Sequence, residues 1–417
     1  MTTTYLTVAL PYVNADPHLG HAYELVLADA CARARRAAGE HLRFLGGTDD
    51  YSLKNVLAAE AAGTPTDVFV ARQAGRFAAL AQPLGLTFDD FIRTSADPRH
   101  RPGVEALWRA VEAAGDLYRR RYEGDYCVGC EQFYSPAELL DGCCPEHLVA
   151  TERVAEENWF FRLSRYQSRL VQAIDSGALA VTPEPFRNQA LGLVRGELHD
   201  ISVSRAADRA RGWGVGVPGD PDQVVYVWFD ALAGYISALG YGGADPAPFR
   251  RWWIGSDERI HVIGKGILRF HAVLWPAFLA SAGEAWPTRI HVHPYLTVAG
   301  SKIAKSKGPV LAAPAEVAAT YGTDALRWWL ARDVHPHADT DFTVGALVDR
   351  ANEDLAAGVG NVTHRIVTLA HRVAGGQAPA SDEPAVPGLA WPSGSASEWP
   401  GSSSAGRPKT SSMPSRR

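Results

Sequence analysis

The stretch from Thr7 to Glu24, TVALPYVNADPHLGHAYE, constrains the fold of this chain more than any other. Residues 5–10 are mostly apolar or β-branched, which predicts a strand, and Pro11 has no N–H with which to continue a ladder. Residues 14–17 then predict a turn, and a helix begins at or near His18. The stretch therefore predicts a strand, a tight turn and a helix, which is the opening unit of a parallel α/β sheet.

Two histidines lie in the first turn of that predicted helix. His18 and His21 are three residues apart and share one face. The N-terminus of a helix favours anions, because its free N–H groups and its dipole face outward. Both imidazoles could therefore contact a phosphate, and Gly20 leaves room for a flat base against the backbone. The alternative for these four residues alone is a pair of ordinary surface histidines.

A second candidate phosphate site lies far downstream, in the sequence GSKIAKSKG at residues 300–308. Lys302, Lys305 and Ser306 lie there between glycines, as a mobile loop that closes over an anion requires. A solvated basic loop is the alternative for this segment by itself. The two segments serve one nucleotide only if the fold brings them together.

Residues 43–50, RFLGGTDD, predict another strand that ends in glycines and carboxylates. Ligands of an open parallel sheet bind at the carboxyl ends of its strands, so Asp49 is the candidate for binding a substrate ammonium group. A turn capped by aspartate is the alternative. Helical and strand patterns then alternate, and we interpret residues 1–115 as the first half of a Rossmann-type domain.

A cluster of cysteines gives residues 116–224 a different character and predicts an insertion with a metal site. Two close pairs of potential ligands, each on a tight knuckle, suit tetrahedral zinc. The predicted ligands are Cys127, Cys130, Cys144 and His147. Cys143 is a bystander or an alternate ligand, and reduced, buried thiols are the alternative to a metal site. Four protein ligands leave no open position, so the predicted zinc is structural.

Residues 225–290 are the predicted second half of the Rossmann-type domain. Residues 226–231 predict the end of a strand, and residues 232–239 predict a helix that follows it. Farther along, aromatic and aliphatic residues from Ile267 to Trp275 recur at helical spacing on one face. Such a face is more often part of a core than of a binding pocket.

Taken together, the two phosphate segments resemble the paired signatures of class I aminoacyl-tRNA synthetases. Residues 18–21 match the first signature, and residues 302–306 match the lysine-rich second, with Ile303 and Ala304 in place of methionine and serine. Within that class the chain resembles the methionyl-tRNA synthetases over roughly residues 5–373. The stretches that carry this resemblance are residues 9–21, 225–235, 261–276 and 295–308.

The resemblance implies ATP-dependent activation of methionine to methionyl-adenylate, with Mg²⁺ arriving on ATP, and transfer to tRNA(Met). The implied ATP-binding residues are His18, Gly20, His21, Lys302, Lys305 and Ser306, of which the two histidines and two lysines are catalytic. The implied methionine pocket comprises Leu10, Tyr12, Trp228, Tyr235, Ile267, His271 and Trp275, with Asp49 at the ammonium group. A thioether packs well on aromatic rings, and His271 could offer the sulfur a weak polar contact. The family also carries a zinc knuckle in the insertion.

Two further features bear on this resemblance, of which the first is a departure from the family pattern. The family motif Gly-Lys-Asp is here Gly264-Lys265-Gly266, which lacks a carboxylate that helps to hold the adenylate. The chain between His21 and Lys302 is also too short for the large editing domain of the isoleucine, valine and leucine enzymes.

The C-terminal part is expected to be mostly helical and then disordered. The resemblance assigns residues 291–342 to the lysine-rich loop and linking helices, and residues 343–374 to the first helix of a truncated anticodon-binding bundle. The apolar stripe of that helix needs partner helices to cover it. Residues 375–417 are rich in Pro, Ser and Gly without periodicity, which predicts disorder. An alternative function follows, in which the activated amino acid passes to a non-tRNA acceptor in specialised metabolism.

The net charge and hydrophobic pattern of the chain limit the classes of partner that the protein can bind. The formal net charge of −5 argues against coating by nucleic acid, although a local basic patch for tRNA remains compatible with it. The sequence has no apolar run long enough to span a bilayer and no signal-peptide pattern. We therefore expect a cytoplasmic protein that binds ATP, methionine and tRNA(Met), without DNA or membrane partners.

Overall fold

The strand–turn–helix unit predicted at the N-terminus opens the computed structural model, which describes residues 1–128, 132–134, 138–145, 148–298, 301–302 and 313–376. The strands are β1 (Thr3–Val8), β2 (His41–Thr48), β3 (Asp90–Arg93), β4 (Leu117–Cys127), β5 (Gln132–Tyr134), β6 (Glu152–Phe161), β7 (Ala180–Thr182), β8 (Ile201–Ser202), β9 (Ser204–Ala206), β10 (Gly216–Val217), β11 (Asp220–Val225), β12 (Glu258–Gly264), β13 (Arg289–His293), β14 (Leu296–Val298), β15 (Ser301–Lys302) and β16 (Thr340–Asp341).

The α-helices are α1 (Leu19–Ala37), α2 (Leu53–Ala61), α3 (Thr66–Ala79), α4 (Ala81–Leu84), α5 (His100–Ala113), α6 (Gln167–Ser176), α7 (Glu184–Arg195), α8 (Val227–Ser237), α9 (Ala247–Phe249), α10 (Trp275–Ser281), α11 (Pro314–Tyr321), α12 (Thr323–Arg332), α13 (Val344–Arg350) and α14 (Asn361–Ala374). Short 3₁₀ turns lie at Leu163–Tyr166 and Lys265–Ile267, and π-helical turns lie at Arg250–Ile254, Phe270–Leu274 and Ala351–Gly360.

The main sheet has the strand order β3-β2-β1-β12-β13-β7, and all its pairings are parallel. The chain moves outward from β1 through β2 to β3, then supplies the opposite edge strand β7, and later returns to β12 beside β1. Ligands of an open parallel sheet bind at the carboxyl ends of the strands where the strand order reverses. The predicted α/β fold with a Rossmann-type parallel sheet is confirmed, and its switch point lies between β1 and β12.

The predicted insertion, residues 116–224, does not lie wholly outside this sheet, because β7 from its middle pairs with β13 as the sixth strand. The other strands of the segment form two small antiparallel sheets, ordered β5-β4-β6-β8 and β10-β11-β9. All described residues belong to one compact unit, Met1–Pro379, and the finer domain boundaries given above remain predictions.

The prediction of a strand ending across residues 226–231 is wrong. The strand β11 ends at Val225 and α8 begins at Val227, so Trp228 and Asp230 lie in the first helical turns. Every residue of α8 except Trp228 is buried. A helix that is buried on nearly all sides lacks polar positions to reveal its period, so a short apolar run resembles a buried strand.

The long helix predicted near the C-terminus is present, since α13, the π-helical turn and α14 follow one another from Val344 to Ala374 without a break. Leu347 at its start is fully buried, whereas Val362 and Ile366 are more than half exposed. Of the predicted disordered tail, residues 377–417 lie outside the described part of the chain. Among the described residues, no helix has both the length and the apolar character needed to cross a membrane.

Candidate active site

His18 and His21 cap the N-terminus of α1 reciprocally. The Nδ1 atom of His18 accepts the Gly20 N–H at 3.1 Å, and the Nδ1 atom of His21 accepts the His18 N–H at 3.1 Å. Because each Nδ1 accepts, a neutral ring carries its proton on Nε2. The two rings stack at 3.8 Å between centroids. The cap therefore fixes both the orientation and the tautomer of the two imidazoles.

Gly20 has a steric reason to be glycine. A Cβ at this position would lie 2.9 Å from the His18 Cε1 atom, so a side chain would displace the ring from its capping position. Gly20 therefore has a structural role in keeping His18 in its capping position, in addition to its predicted role of leaving room for a base.

Asp49 lies at the carboxyl end of β2, as predicted, and its backbone is tied to the loop that follows β1. Its N–H donates to the Pro11 carbonyl at 2.9 Å, and the backbones of Tyr12 and Asp49 form an isolated parallel bridge. One carboxylate oxygen of Asp49 accepts the Tyr51 N–H at 3.1 Å, and the side chain is almost fully buried. The structure thus brings Tyr12 and Asp49, which the sequence separates, to one edge of the sheet.

Among the predicted pocket residues, ring contacts join Tyr12 to Trp228, and Tyr235 to His271 and Trp275. Trp228 contacts Tyr12 edge-on at 6.0 Å between centroids and stacks on Phe270 at 3.6 Å, with the two planes only 6° apart. Phe270 was not among the predicted pocket residues, although its spacing from Ile267 placed both on the same helical face. Leu10, Tyr12, Trp228 and Ile267 are half-buried, whereas Tyr235, His271 and Trp275 are buried.

His271 is neutral, and its hydrogen bonds fix its tautomer. Burial lowers the pKa of the ring to about 4. Nδ1 lies 3.0 Å from the Ile267 carbonyl oxygen, which can only accept, so Nδ1 carries the proton. Nε2 then accepts the Tyr235 hydroxyl proton at 2.8 Å, and burial raises the pKa of that hydroxyl. Both ring nitrogens already have partners, so a contact from His271 to a sulfur would have to replace one of them.

A second buried histidine supports the floor of the pocket. The Trp275 Nε1–H donates to His261 Nε2 at 3.2 Å, so the His261 proton lies on Nδ1, 2.6 Å from Thr7 Oγ1. Burial holds the pKa of His261 well below its usual value. His261 thereby connects Trp275 to the central strand β1. No sequence pattern indicates this role, because His261 is simply one residue within strand β12.

Helix α8, which carries Trp228 and Tyr235, is anchored on α5 by a buried polar array. His100 lies 3.1 Å from Asp230 Oδ1 through Nε2 and 2.9 Å from Ser237 Oγ through Nδ1, and all three side chains are buried. Close backbone approach also shapes the pocket, since a Cβ at Gly47 would lie 2.4 Å from the Ile92 carbonyl oxygen. These contacts hold the aromatic wall against the sheet.

The lysine-rich segment begins in a small sheet of three strands, ordered β15-β14-β16. The short strand β15 pairs antiparallel with β14, so that the backbone of Lys302 lies opposite Thr297, and β14 in turn pairs parallel with β16. Lys305 and Ser306 lie outside the described residues. Their predicted approach to ATP therefore stays a prediction.

Half of the predicted zinc set lies in described parts of the chain. Cys127 and Cys144 are fully buried in one cluster with Tyr134, whereas Cys143 is partly exposed. Backbone hydrogen bonds form a tight turn at Cys144, whose carbonyl accepts the Leu148 N–H at 2.8 Å. Cys130 and His147 lie outside the described residues, and no group of three or more potential ligands occurs within the described ones.

Comparison with known proteins adds independent findings. A family model described as class I tRNA synthetases of the methionine type, "tRNA synthetases class I (M)", matches residues 4–154 and 148–367. The methionine–tRNA ligase of Mycobacterium leprae is 40% identical over 389 residues, which cover 92% of this chain and 71% of the relative. That of Thermotoga maritima is 39% identical over 379 residues, which cover 90% of this chain and 59% of the relative.

Solved structures agree with the sequence comparison. A Mycobacterium tuberculosis methionyl-tRNA synthetase in complex with methionyl-adenylate superposes with a TM-score of 0.85 at 40% identity, covering 93% of this chain and 75% of the other. The apo form of the M. tuberculosis enzyme gives a TM-score of 0.77 at 37% identity, covering 93% and 73%. The similarity therefore extends over the main sheet, the insertion and the described C-terminal helices.

Proposed function

The chain belongs to the methionyl-tRNA synthetase family of class I tRNA synthetases, and on that premise we propose that it is an ATP-dependent methionine–tRNA ligase. The observation that carries the proposal is that the loop after β1, at the switch point of the sheet, leads to two features. One is the capped and stacked pair His18 and His21, and the other is the aromatic pocket around Trp228. A phosphate site and an apolar amino-acid site side by side suit the activation of a carboxylate by ATP.

In the proposed reaction the methionine carboxylate attacks the α-phosphorus of ATP in line, and pyrophosphate leaves. The protein contributes position and positive charge and forms no covalent intermediate. The Nε2–H groups of His18 and His21 donate to phosphate oxygens, as their tautomers allow. Lys302 and Lys305 bind the departing pyrophosphate, and Mg²⁺ bound with ATP neutralises phosphate charge.

The methionine end of the site follows from the same arrangement. In this proposal the buried carboxylate of Asp49 binds the substrate ammonium group. The methionine side chain lies between the Tyr12, Trp228 and Trp275 rings, where a polarisable thioether packs well. Shape and polarisability separate methionine from leucine by a small margin, about 1–3 kcal/mol.

The acceptor in this proposal is tRNA(Met), and the reaction takes place in the cytoplasm. The comparisons favour this acceptor over the non-tRNA alternative, because the relatives and solved structures quoted above are methionine–tRNA ligases by name.

ATP–pyrophosphate exchange across all twenty amino acids, with tRNA charging on the same preparation, tests the function. We expect exchange that depends on methionine, together with charging of tRNA(Met). Exchange that depends on another amino acid would overturn the substrate assignment. Exchange without charging would mean that the acceptor is not tRNA(Met). Absence of exchange would overturn the proposed activity.

A structural Zn²⁺ held by Cys127, Cys130, Cys144 and His147 is also part of the proposal. The two described ligands fit it, because both thiols are buried in one small cluster with the Tyr134 hydroxyl 3.5 Å from Cys144 Sγ. When bound, such a zinc supplies folding free energy to the insertion and no open coordination position for chemistry.

Zinc content measured by mass spectrometry tests this assignment. Cys127→Ser and Cys144→Ser should lower the content from one zinc per chain, and Cys143→Ser should leave it unchanged because that side chain lies partly in solvent. Loss of zinc in Cys143→Ser with retention in Cys144→Ser would mean that Cys143, and not Cys144, is the zinc ligand.

A further inference from the structure

An ion pair joins two parts of the catalytic region that the sequence separates by more than seventy residues. The Lys265 ammonium nitrogen lies 2.7 and 2.8 Å from the two carboxylate oxygens of Asp339. The Tyr295 N–H donates to Asp339 Oδ1 at 3.0 Å, and the Lys265 ammonium lies 4.7 Å from the centre of the Tyr295 ring. Lys265, Tyr295 and Asp339 therefore contact one another in a three-way arrangement, which we name the 265–339 clamp.

The clamp connects the main sheet to the small sheet that carries Lys302. Lys265 directly follows the carboxyl end of β12, the strand next to β1 at the switch point. Asp339 directly precedes β16, which pairs with β14, and β14 pairs with the strand that contains Lys302. Tyr295 lies in the connection between β13 and β14. The clamp therefore lies at the base of the β14–β15 pair, which carries Lys302 and which we name the Lys302 hairpin.

The same lysine stands in the segment that departs from its family. Position 266 is glycine here, so the lysine has no carboxylate beside it in sequence, and the carboxylate that meets it comes from Asp339. Neither side chain of the pair is deeply buried, with exposed fractions of 32% and 38%. An ion pair this exposed adds little to the stability of the whole protein, so a stability role does not explain its geometry.

We infer that Lys265 and Asp339 are positioning residues for adenylate formation, which hold the base of the Lys302 hairpin against the carboxyl end of β12. The inference rests on the proposed function, because the hairpin matters if it approaches ATP. Neither residue needs to touch the substrate. They act by fixing the position of Lys302 during the departure of pyrophosphate. Small displacements of a group that contacts the reacting atoms slow such a step strongly.

Steady-state exchange kinetics with ATP and methionine varied separately test the inference. Asp339→Asn keeps the size of the side chain and an oxygen for the Tyr295 N–H, but it loses the charge. We expect Asp339→Asn and Lys265→Met each to lower kcat on the order of 10-fold or more, with the KM for methionine and the melting temperature unchanged. The double variant should be no worse than either single variant, because both changes break one contact.

A matched control is Asp175→Asn, which breaks a comparably exposed ion pair with Arg195, 2.8 Å long, in the α6–α7 region. It should leave kcat unchanged. Activity loss in Lys265→Met with normal activity in Asp339→Asn would mean that Lys265 contacts the ligand directly, and this would overturn the clamp. Full activity in both variants, or additive losses in the double variant, would also overturn it.

Hydrogen exchange of peptides that cover residues 294–302 provides a readout that does not depend on activity. Amide exchange there should be faster in Asp339→Asn and Lys265→Met than in the wild type or Asp175→Asn. Unchanged exchange would overturn the clamp even in an active enzyme. A wild-type chain without methionine-dependent exchange, but with this pattern of protection, would overturn the proposed function and leave the clamp in place.

Discussion

At the scale of single residues, the site depends on histidines whose protonation is set by their neighbours. His18 and His21 carry their protons on Nε2 because backbone N–H groups occupy each Nδ1. His271 has the opposite tautomer because a backbone carbonyl faces its Nδ1. The same type of side chain therefore presents Nε2–H at the start of α1, where we propose that it donates to phosphate, and is a neutral buried ring at position 271.

The buried state of His271 predicts a specific loss of stability in acid. Its pKa is about 4 when folded, against about 6.5 in an unfolded chain, so between these values the unfolded chain binds a proton that the folded ring does not. The His271 ring therefore has no effect on the free energy of unfolding above about pH 6.5, and it lowers that free energy as the pH falls towards 4. Between pH 7.5 and 5.0 the loss from this ring is about 2 kcal/mol.

Urea unfolding of the wild type and of His271→Gln at these two pH values measures the effect. The variant should lose less stability on acidification than the wild type, by about 2 kcal/mol, and His199→Gln, at an exposed position, should behave as the wild type does. Equal acid sensitivity in His271→Gln and the wild type would mean that the folded ring titrates like a solvated one. Other buried histidines, such as His291 with a pKa lowered to about 3 by burial, account for part of the remaining loss.

At the scale of elements, the N-terminus of α1 combines an observed structural cap with the phosphate-binding role that we propose for it. An N-cap side chain that accepts a backbone N–H stabilises a helix, and asparagine fills this role well. The two functions of His18 can therefore be separated by substitution, because only the imidazole Nε2–H reaches for phosphate in the proposed mechanism.

His18→Asn and His18→Ala should both lower kcat of exchange, on the order of 100-fold, since both lose the Nε2–H donor. Only His18→Ala should also lower the free energy of unfolding, by about 1 kcal/mol, because alanine cannot cap. Parallel exchange assays and urea titrations measure the two effects. A His18→Asn variant with wild-type kcat would remove His18 from the catalytic residues.

Helix α8 shows where prediction of elements fails. Its sequence is apolar on nearly all sides because it packs between the main sheet and α5, with Asp230 paired to His100 inside that contact. A local pattern cannot distinguish such a helix from a buried strand. The helix 344–374, by contrast, was predictable because its apolar residues recur on one face while the others are polar.

At the scale of the whole molecule, a second hydrophobic core roots the C-terminal helices on the catalytic region. Leu19, Tyr23 and Val26 of α1 pack with Leu326 and Trp329 of α12. An ion pair of 2.6 Å between Arg327 and Asp29 joins the same two helices. Helix α1, which begins with the His18–His21 cap, therefore also packs against the C-terminal helical region.

The apolar stripe of that C-terminal region changes character along its length. Leu347 lies in the second core, whereas Val362, Ile366, Leu369 and Val373 are 56–78% exposed. The same stripe is therefore part of a core at its beginning and exposed, within the described residues, along α14. The stripe itself was visible in the sequence, but its division into a covered and an exposed half was not.

The sequence by itself determined the local units of this protein. The strand, turn and helix from Thr7 to Glu24 follow from short-range chemistry, namely the missing N–H of Pro11 and the dipole of a helix start. The lysine-rich segment and the paired cysteines are likewise local patterns, and the first of them is one of the stretches that carry the family resemblance. Neighbours in the chain suffice to recognise such features.

The tertiary structure alone decided which of these units meet. Tyr12 meets Asp49 because β1 and β2 are adjacent parallel strands, and Lys265 meets Asp339 because β12 ends beside the small sheet. The tautomers and lowered pKa values of the buried histidines depend on the same packing, because residues distant in the sequence exclude water from the imidazole. Long-range burial therefore supplies the physical conditions that turn locally recognisable residues into a site.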